Sequence, residues 1–461
     1  MPFVLSFEEA RDLVEQHAAS VSAREIEAVE LLAGLGRVLA DEILADRDFP
    51  PFERATRDGF AVRAADLAEV PARLEVVGEV KAGDWPEAAG IAVGRGQAVS
   101  IMTGAPLPPG ADAVVMVEHT ALLQDSHPNV AKDATLGWGT RISSGTAAAS
   151  FVEIRRAVKA GENFVPRGAE ARAGQMLIER GQRLDHSGIA IAASVGKSRV
   201  QVFRKPRVAV LSTGDELVEM DATPAAAQIR NSNSYSLAAQ VQEAGGEAVR
   251  LAIAPDERVP LRELIEEGLK CDLLLLTGGV SMGKYDLVEQ VLGELQAEFY
   301  FTGAEIQPGR PVVFGAVASG SFAADGLART DYVSGAGTRE GAPAPHMQYK
   351  KYFFGLPGNP VSTMVTFELF ARPMIAALAG MIPRPLIFLR ARLKTEIRTK
   401  TGLKRFLPAM LSGEFENAEV ELAQWQGSGD IAALGRANCY VVIPADRERI
   451  EAGEWVALLM R

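Results

Sequence analysis

Apolar residues recur with a helical period in some stretches of this chain and in short continuous or alternating runs in others, and the changes of period divide it into regions. Ser6-Phe7-Glu8-Glu9 has the spacing of a capping box, and Phe7, Ala10, Leu13 and Val14 follow at helical intervals, so a helix opens the protein. A second apolar helical pattern runs from Leu31 to Ile43. Phe49-Pro50-Pro51-Phe52 breaks it and sends the chain on in an extended form, which puts a domain boundary near residue 47. From there to about residue 168, short pieces such as Leu74-Glu75-Val76-Val77 and Ala113 to Val117 alternate with Gly and Pro turns and predict a small β domain. Its middle, Asp125 to Ala157, is rich in Ser, Thr, Ala and Gly and reads as a loop insertion or an extra hairpin. A helical pattern returns at His186 to Ala193, ahead of Pro206.

Beyond Arg207 the two periods alternate. A strand at 207 to 212, a helix around Tyr235 to Ala244, a strand from Ala248 to Ile253, a helix from Val259 to Lys270 and a strand at 272 to 277 predict a parallel α/β sheet. Residues 318 to 349 interrupt it between Val312-Val313-Phe314 and Phe353-Phe354, and their Gly, Ala, Ser and Pro content reads as a flexible surface excursion. After a helix from Val361 to Leu378, Pro383 and Pro385 mark a linker into alternating segments that predict a small C-terminal β-barrel.

The strand ends carry the candidate chemistry. Leu273 to Leu276 run into Thr277-Gly278-Gly279-Val280-Ser281, and Asp286 opens the pattern Leu287, Val288, Val291, Leu292. Glycines leave amide N–H groups free to face an anion, and a carboxylate beside them suits a divalent cation; the plainer alternative is a tight turn with Asp286 as a helix cap. Phe353-Phe354-Gly355-Leu356-Pro357-Gly358-Asn359-Pro360-Val361-Ser362 repeats the arrangement, with Pro360 at a first helical turn and the Ser362 hydroxyl near unpaired amides. Arg207 to Ser212 ends in Thr213-Gly214-Asp215-Glu216. Ligands of open parallel sheets bind outside the carboxyl ends of the strands, so these three ends predict one crevice.

Thr277-Gly278-Gly279-Val280-Ser281 with Asp286, and Pro357-Gly358-Asn359-Pro360, resemble the molybdopterin-binding fold shared by molybdopterin adenylyltransferases and molybdenum-insertion enzymes. Asp58-Gly59-Phe60-Ala61-Val62, Ile101 to Pro106, Ser212 to Glu216 and Gln307-Pro308-Gly309-Arg310-Pro311 narrow this to a resemblance to the MoeA family of molybdopterin molybdenumtransferases, related to the gephyrin E domain, over nearly the whole chain. It implies an elongated helical N-terminal domain (1–47 and 169–205) with an inserted β domain (48–168), a central molybdopterin-binding α/β parallel-sheet domain (206–382) and a C-terminal β-barrel (383–461). The reaction it implies takes adenylylated molybdopterin and molybdate to molybdenum cofactor and AMP with Mg²⁺, the substrate coming from an upstream molybdopterin adenylyltransferase.

On that resemblance Asp58, Glu216 and Asp286 are catalytic candidates, and Asp256, Asp286 and Glu216 are metal candidates. Asp256, in Ala254-Pro255-Asp256-Glu257, reads equally well as a solvated turn acid. Thr103, Gly278, Gly279, Ser281, Pro308, Gly358 and Asn359 are substrate-binding candidates, and Arg310, Ser362, Arg405 and Ser428 supply the donors that suit a tetrahedral oxyanion. Asp58 lies in a different domain from the sheet motifs and reaches their crevice only by folding over or from a second subunit; the resemblance implies a homodimer. The chain also departs from the family. Arg54-Ala55-Thr56-Arg57 stands where relatives carry Asn-Ser-Ala-Met, Glu170 replaces an Asp, and Gly303 and Gln307 occupy positions where relatives often carry lysine.

Composition narrows the alternatives. A formal net charge of −11 argues against a general nucleic-acid surface, so an anionic substrate needs a local positive site. Two distant cysteines, Cys271 and Cys439, make neither a disulfide framework nor a zinc cluster, which fits a reducing cytoplasm. The first residues lack a signal-peptide pattern, and no stretch is expected to span a bilayer. Two other readings stand beside molybdenum insertion: an adenylyltransferase, which would require ATP, and a molybdopterin-binding scaffold with little turnover.

Overall fold

The computed structural model describes residues 3–21, 23, 25–123, 150–278, 287–318 and 350–461. They fall into two compact units, Met1–Asp41 with Arg180–Ile189 and Ser198–Arg461, and Glu42–Glu179 with Ala190–Lys197. The larger unit is built on a six-stranded sheet ordered Glu247–Arg250, Arg207–Ser212, Leu273–Thr277, Lys350–Leu356, Val313–Ala318, Glu298–Phe301. The first four strands are parallel. Val313–Ala318 runs antiparallel to both of its neighbours, so the sheet expected as parallel is mixed. Ala318 pairs with Lys350, so the two strands are joined at one end of the sheet, which an antiparallel pair permits without a crossover.

The central strands are apolar on both faces because both are covered. Val208, Val210, Leu273 and Leu275 belong to one core, which also holds Phe7, Phe314, Phe354 and Phe370. Ala209, Leu211, Leu274 and Leu276 belong to the other, closed by Leu261 and Ile265 of the helix Arg258–Gly268 and Val291 of the helix Leu287–Glu294. The helical stretch Pro360–Leu378 packs into the first core, with a π-helical segment at Phe367–Ala371 between two α-helical ones. Its 19 residues are long and apolar enough by composition to cross a membrane, which corrects the expectation that no stretch is; 67% of it is buried, so packing against the sheet accounts for its apolarity.

Five strands, Phe388–Leu393, Lys404–Ser412, Glu419–Leu422, Cys439–Ile443 and Trp455–Met460, close into the expected barrel, because Lys404–Ser412 pairs on both of its edges. Closure leaves no free edge in that ring. The short strand Ile306–Gln307 joins it through Gln307 and Arg405.

The opening helix, Phe7–Ser20, forms as expected, with Ser6 Oγ accepting from Glu9 N and Glu9 Oε2 from Ser6 N at 2.9 Å. The second helical pattern does not. Leu31–Gly34 makes one 3-10 turn, Val38 and Leu39 form isolated bridges, and Ile43–Leu44 pairs with Met176–Ile178. Gly34 and Gly36 each weaken a helix by about 1 kcal/mol, and Gly36 has φ +76, so Val38, Leu39 and Ala40 are buried as extended chain instead. Ile26–Glu30 likewise pairs with Arg199–Phe203. The segments expected as a helical domain therefore contain the helices Phe7–Ser20 and His186–Ser194 together with paired strands.

In the smaller unit a six-stranded sheet runs Ala113–Met116, Gly59–Val62, Gln97–Ile101, Ala72–Val80, Phe151–Ile154, Thr120–Leu123. Of the stretch 125–157 expected as a loop insertion or an extra hairpin, Phe151–Ile154 is a strand of this sheet and pairs antiparallel with Thr120–Leu123; residues 124–149 and 319–349 lie outside the described residues.

Candidate functional site

Three strands of the large sheet end side by side, and hydrogen bonds join their turns. Thr213 N donates to Thr277 O at 3.0 Å and Gly214 N to Ala254 O at 3.2 Å. Gly278 has φ +88, and a Cβ there would collide with Thr213 O, so the turn after Leu273–Thr277 requires glycine. Gly358 packs against the Cα of Gly278. Asn233, at the start of the helix Ser232–Glu243, donates its Nδ2 to Gly358 O at 2.6 Å and to Thr277 Oγ1 at 3.0 Å. Asn231 caps the same helix and accepts from Ser212 Oγ at 3.0 Å. Sequence reasoning missed both asparagines, although Asn231-Ser232-Asn233-Ser234 before an apolar helical pattern is a helix-start signal.

Acids gather at the neighbouring ends. Asp256 N donates to Asp215 Oδ1 at 3.1 Å, and burial together with the charges of Asp215 and Glu216 raises the Asp256 carboxyl above its ordinary value. Glu216 folds back over Gly214, where any Cβ would strike its carboxylate. Among the described residues no three His, Cys, Asp or Glu side chains converge closely enough to cage a metal. Mg²⁺ is usually held by one or two carboxylates plus substrate phosphates, so mutually repelling Asp256, Asp215 and Glu216 remain an oxygen-donor set of the right type. Asp286, Gly279 and Ser281 lie outside the described residues.

Beside these ends a cavity of about 660 Å³ is lined by Gln307 to Pro311, Pro357, Asn359, Ser362, Leu403, Trp425, Gly427 and Ser428. Five candidates, Pro308, Arg310, Asn359, Ser362 and Ser428, thus come from three separate chain segments into one wall. Asn359 Nδ2 donates to Ser428 Oγ at 2.9 Å, and Val361 N donates to Ser428 O at 3.0 Å, tying the helix start at Pro360 to the 427–428 turn. Gly309 has φ +105 with Thr366 Cγ2 where its Cβ would stand, and this turn presents an exposed Arg310 that no carboxylate pairs with among the described residues. Arg405 does not join the wall: it is 7% exposed, and its Nη1 donates to the carbonyls of Lys400 and Leu403, the latter at 3.1 Å. Burial lowers its pKa. Gly303 is packed against Val4 and Arg310 O, leaving little room for any side chain, whereas Gln307 faces the cavity.

In the smaller unit Asp58 and Thr103 meet, with Thr103 N donating to Asp58 Oδ1 at 2.7 Å. Gly59 runs so close to Val115 O that a Cβ would overlap it, which sets Asp58 at the rim of the sheet. Two of the departures from the family also meet, since Arg54 Nη2 pairs with Glu170 Oε1 at 2.8 Å.

Profiles of three regions match in order along the chain: the MoeA N-terminal region (domain I and II) at residues 5–196, a "Probable molybdopterin binding domain" at 209–377, and the MoeA C-terminal region (domain IV) at 390–460. A molybdopterin molybdenumtransferase from Nostoc sp. is 32% identical over 448 residues, 95% of this chain and 89% of that protein. One from Bacillus subtilis is 31% identical over 442 residues, covering 95% and 90%. Among solved structures, a molybdopterin biosynthesis MoeA protein from Pyrococcus horikoshii superposes with TM-score 0.70 at 26% identity over 99% of this chain and 100% of that one.

Proposed function

Because the chain belongs to the MoeA family of molybdopterin molybdenumtransferases, we propose that it inserts molybdate into adenylylated molybdopterin, forming molybdenum cofactor and releasing AMP, as a cytoplasmic, Mg²⁺-dependent homodimer. One observation carries this reading: Arg310, Asn359, Ser362 and Ser428 line a single cavity next to the glycine turns at Gly278 and Gly358. Both substrates are anions, and a chain of net charge −11 binds them only where charge and donors are concentrated. Arg310 offers a planar fork of N–H donors that no carboxylate pairs with among the described residues, which suits a tetrahedral oxyanion.

Glycine turns leave backbone amides to face phosphate oxygens, and Asn233 holds two of these turns in register. Mg²⁺, held by Asp256 and Glu216 with Asp286, would neutralise charge on the phosphoanhydride as it is cleaved. Asp58, fixed by Thr103 N, is an acid that a second subunit would bring to the substrate. The substrate arrives from a molybdopterin adenylyltransferase. Single-turnover reaction of purified protein with adenylylated molybdopterin and molybdate tests the assignment; molybdenum cofactor and AMP should appear in equal amounts without ATP. A requirement for ATP would point to the adenylyltransferase reaction, and binding without transfer to a scaffold.

A further inference from the structure

We propose that Trp425 is a specificity-determining wall of this cavity and stacks a planar nitrogen heterocycle of the substrate, while Arg310 and the serines hold an oxyanion in the same space. The inference rests on the functional reading above for the identity of the substrate. Volume is the first argument. Four oxygens at roughly 30 Å³ each give a tetrahedral oxyanion ~120 Å³, about a fifth of the 660 Å³ available. An oxyanion alone leaves most of the cavity unfilled.

Chemistry is the second argument. Ile306, Leu403, Pro308 and Trp425 give the wall an apolar part beside its few donors, the composition of a site for a ring-bearing ligand rather than for a bare ion. Rigidity is the third. Trp425 is half-buried and packs against both the sheet core and the barrel core, so its indole cannot swing away. Three residues later the chain is anchored by Asn359 Nδ2 on Ser428 Oγ and by Val361 N on Ser428 O. A fixed aromatic surface costs little ordering entropy when a flat ligand covers it.

Adenylylated molybdopterin carries two flat heterocycles, a pterin and an adenine, and stacking accepts either. Trp425→Leu removes the ring and Trp425→Phe keeps one. AMP, neopterin and molybdate, titrated separately by calorimetry, serve as probes. Trp425→Leu should weaken one of the two ring probes by about tenfold, Trp425→Phe should recover most of that loss, and molybdate affinity should be the same in all three proteins. Loss confined to AMP identifies the adenine, and loss confined to neopterin identifies the pterin.

The inference is overturned if both ring probes bind Trp425→Leu as they bind the unaltered protein. It is equally overturned if molybdate affinity falls in parallel, because that means the cavity has collapsed. If the unaltered protein performs molybdenum insertion while Trp425→Leu binds both rings normally, only the role of Trp425 fails. If the unaltered protein inserts no molybdenum and binds neither ring, the functional reading fails and this inference fails with it.

Discussion

Asn233 Nδ2 donates to Gly358 O across 2.6 Å, joining positions 125 residues apart in sequence. The same nitrogen reaches Thr277 Oγ1, so one amide clamps a helix start to the turns after two adjacent strands. Gly358 O accepts only, which makes the group facing it the Nδ2.

Asn233→Ala should destabilise the protein by about 1–3 kcal/mol, since it removes the donor to the buried Thr277 Oγ1 and the tie to Gly358 O. Urea unfolding measures this, and substrate affinity should fall as the glycine turns lose their register. An unchanged unfolding midpoint with unchanged affinity would show that the clamp is dispensable.

Gly309→Ala is expected to cost about 1–3 kcal/mol, because φ is +105 there and the new Cβ would meet Thr366 Cγ2. Thermal denaturation reads the stability loss. Molybdate affinity should drop as well, through the displaced Arg310.

Arg310→Ala should weaken molybdate binding by about 1.5–3 kcal/mol while hardly changing affinity for adenylylated molybdopterin. Separate titrations with each ligand decide the matter. Loss of pterin affinity with molybdate affinity intact would move Arg310 to the phosphate pocket.

Asp256 binds its proton more tightly in the folded protein, through burial and the charges of Asp215 and Glu216. Its contribution to stability is therefore fully present below the ordinary Asp value and is lost as pH rises through the raised one. Asp256→Asn should melt higher than the unaltered protein at pH 7, with the difference vanishing in acid. Mg²⁺ should narrow the gap at pH 7 by stabilising only the protein that retains the carboxylate, and chelation should reopen it. A gap that does not depend on pH would remove the electrostatic explanation.

Asp58→Asn keeps an oxygen to accept from Thr103 N, so the fold should lose less than about 1 kcal/mol. Turnover should nonetheless fall at least tenfold if the charge acts on substrate. Turnover close to that of the unaltered protein would leave Asp58 as a turn-holding residue.

Local patterns in the chain determined the features whose causes are local. Ser6 and Glu9 are three residues apart, so the capping box that starts the first helix needs only that stretch of chain. Leu273–Thr277 is apolar at successive positions because both of its faces are covered, and that burial marks it as a central strand before any partner is known. The glycines of Thr277-Gly278 and Pro357-Gly358 marked two site turns; at Gly278 the close approach of Thr213 O excludes a Cβ. Leu31 to Ile43 misled, because Gly34 and Gly36 stop the helix after one 3-10 turn and the apolar residues Val38 to Ala40 are buried in extended chain instead. Contacts between distant segments were decided only by the tertiary structure. Strand reversal at Val313–Ala318, barrel closure through Lys404–Ser412, the pairing of Arg54 with Glu170, and the arrival of Trp425 beside Arg310 each depend on partners far along the chain. Hydrogen bonds and packing act over a few ångströms in space, whatever the separation in sequence, so such meetings leave no periodic trace.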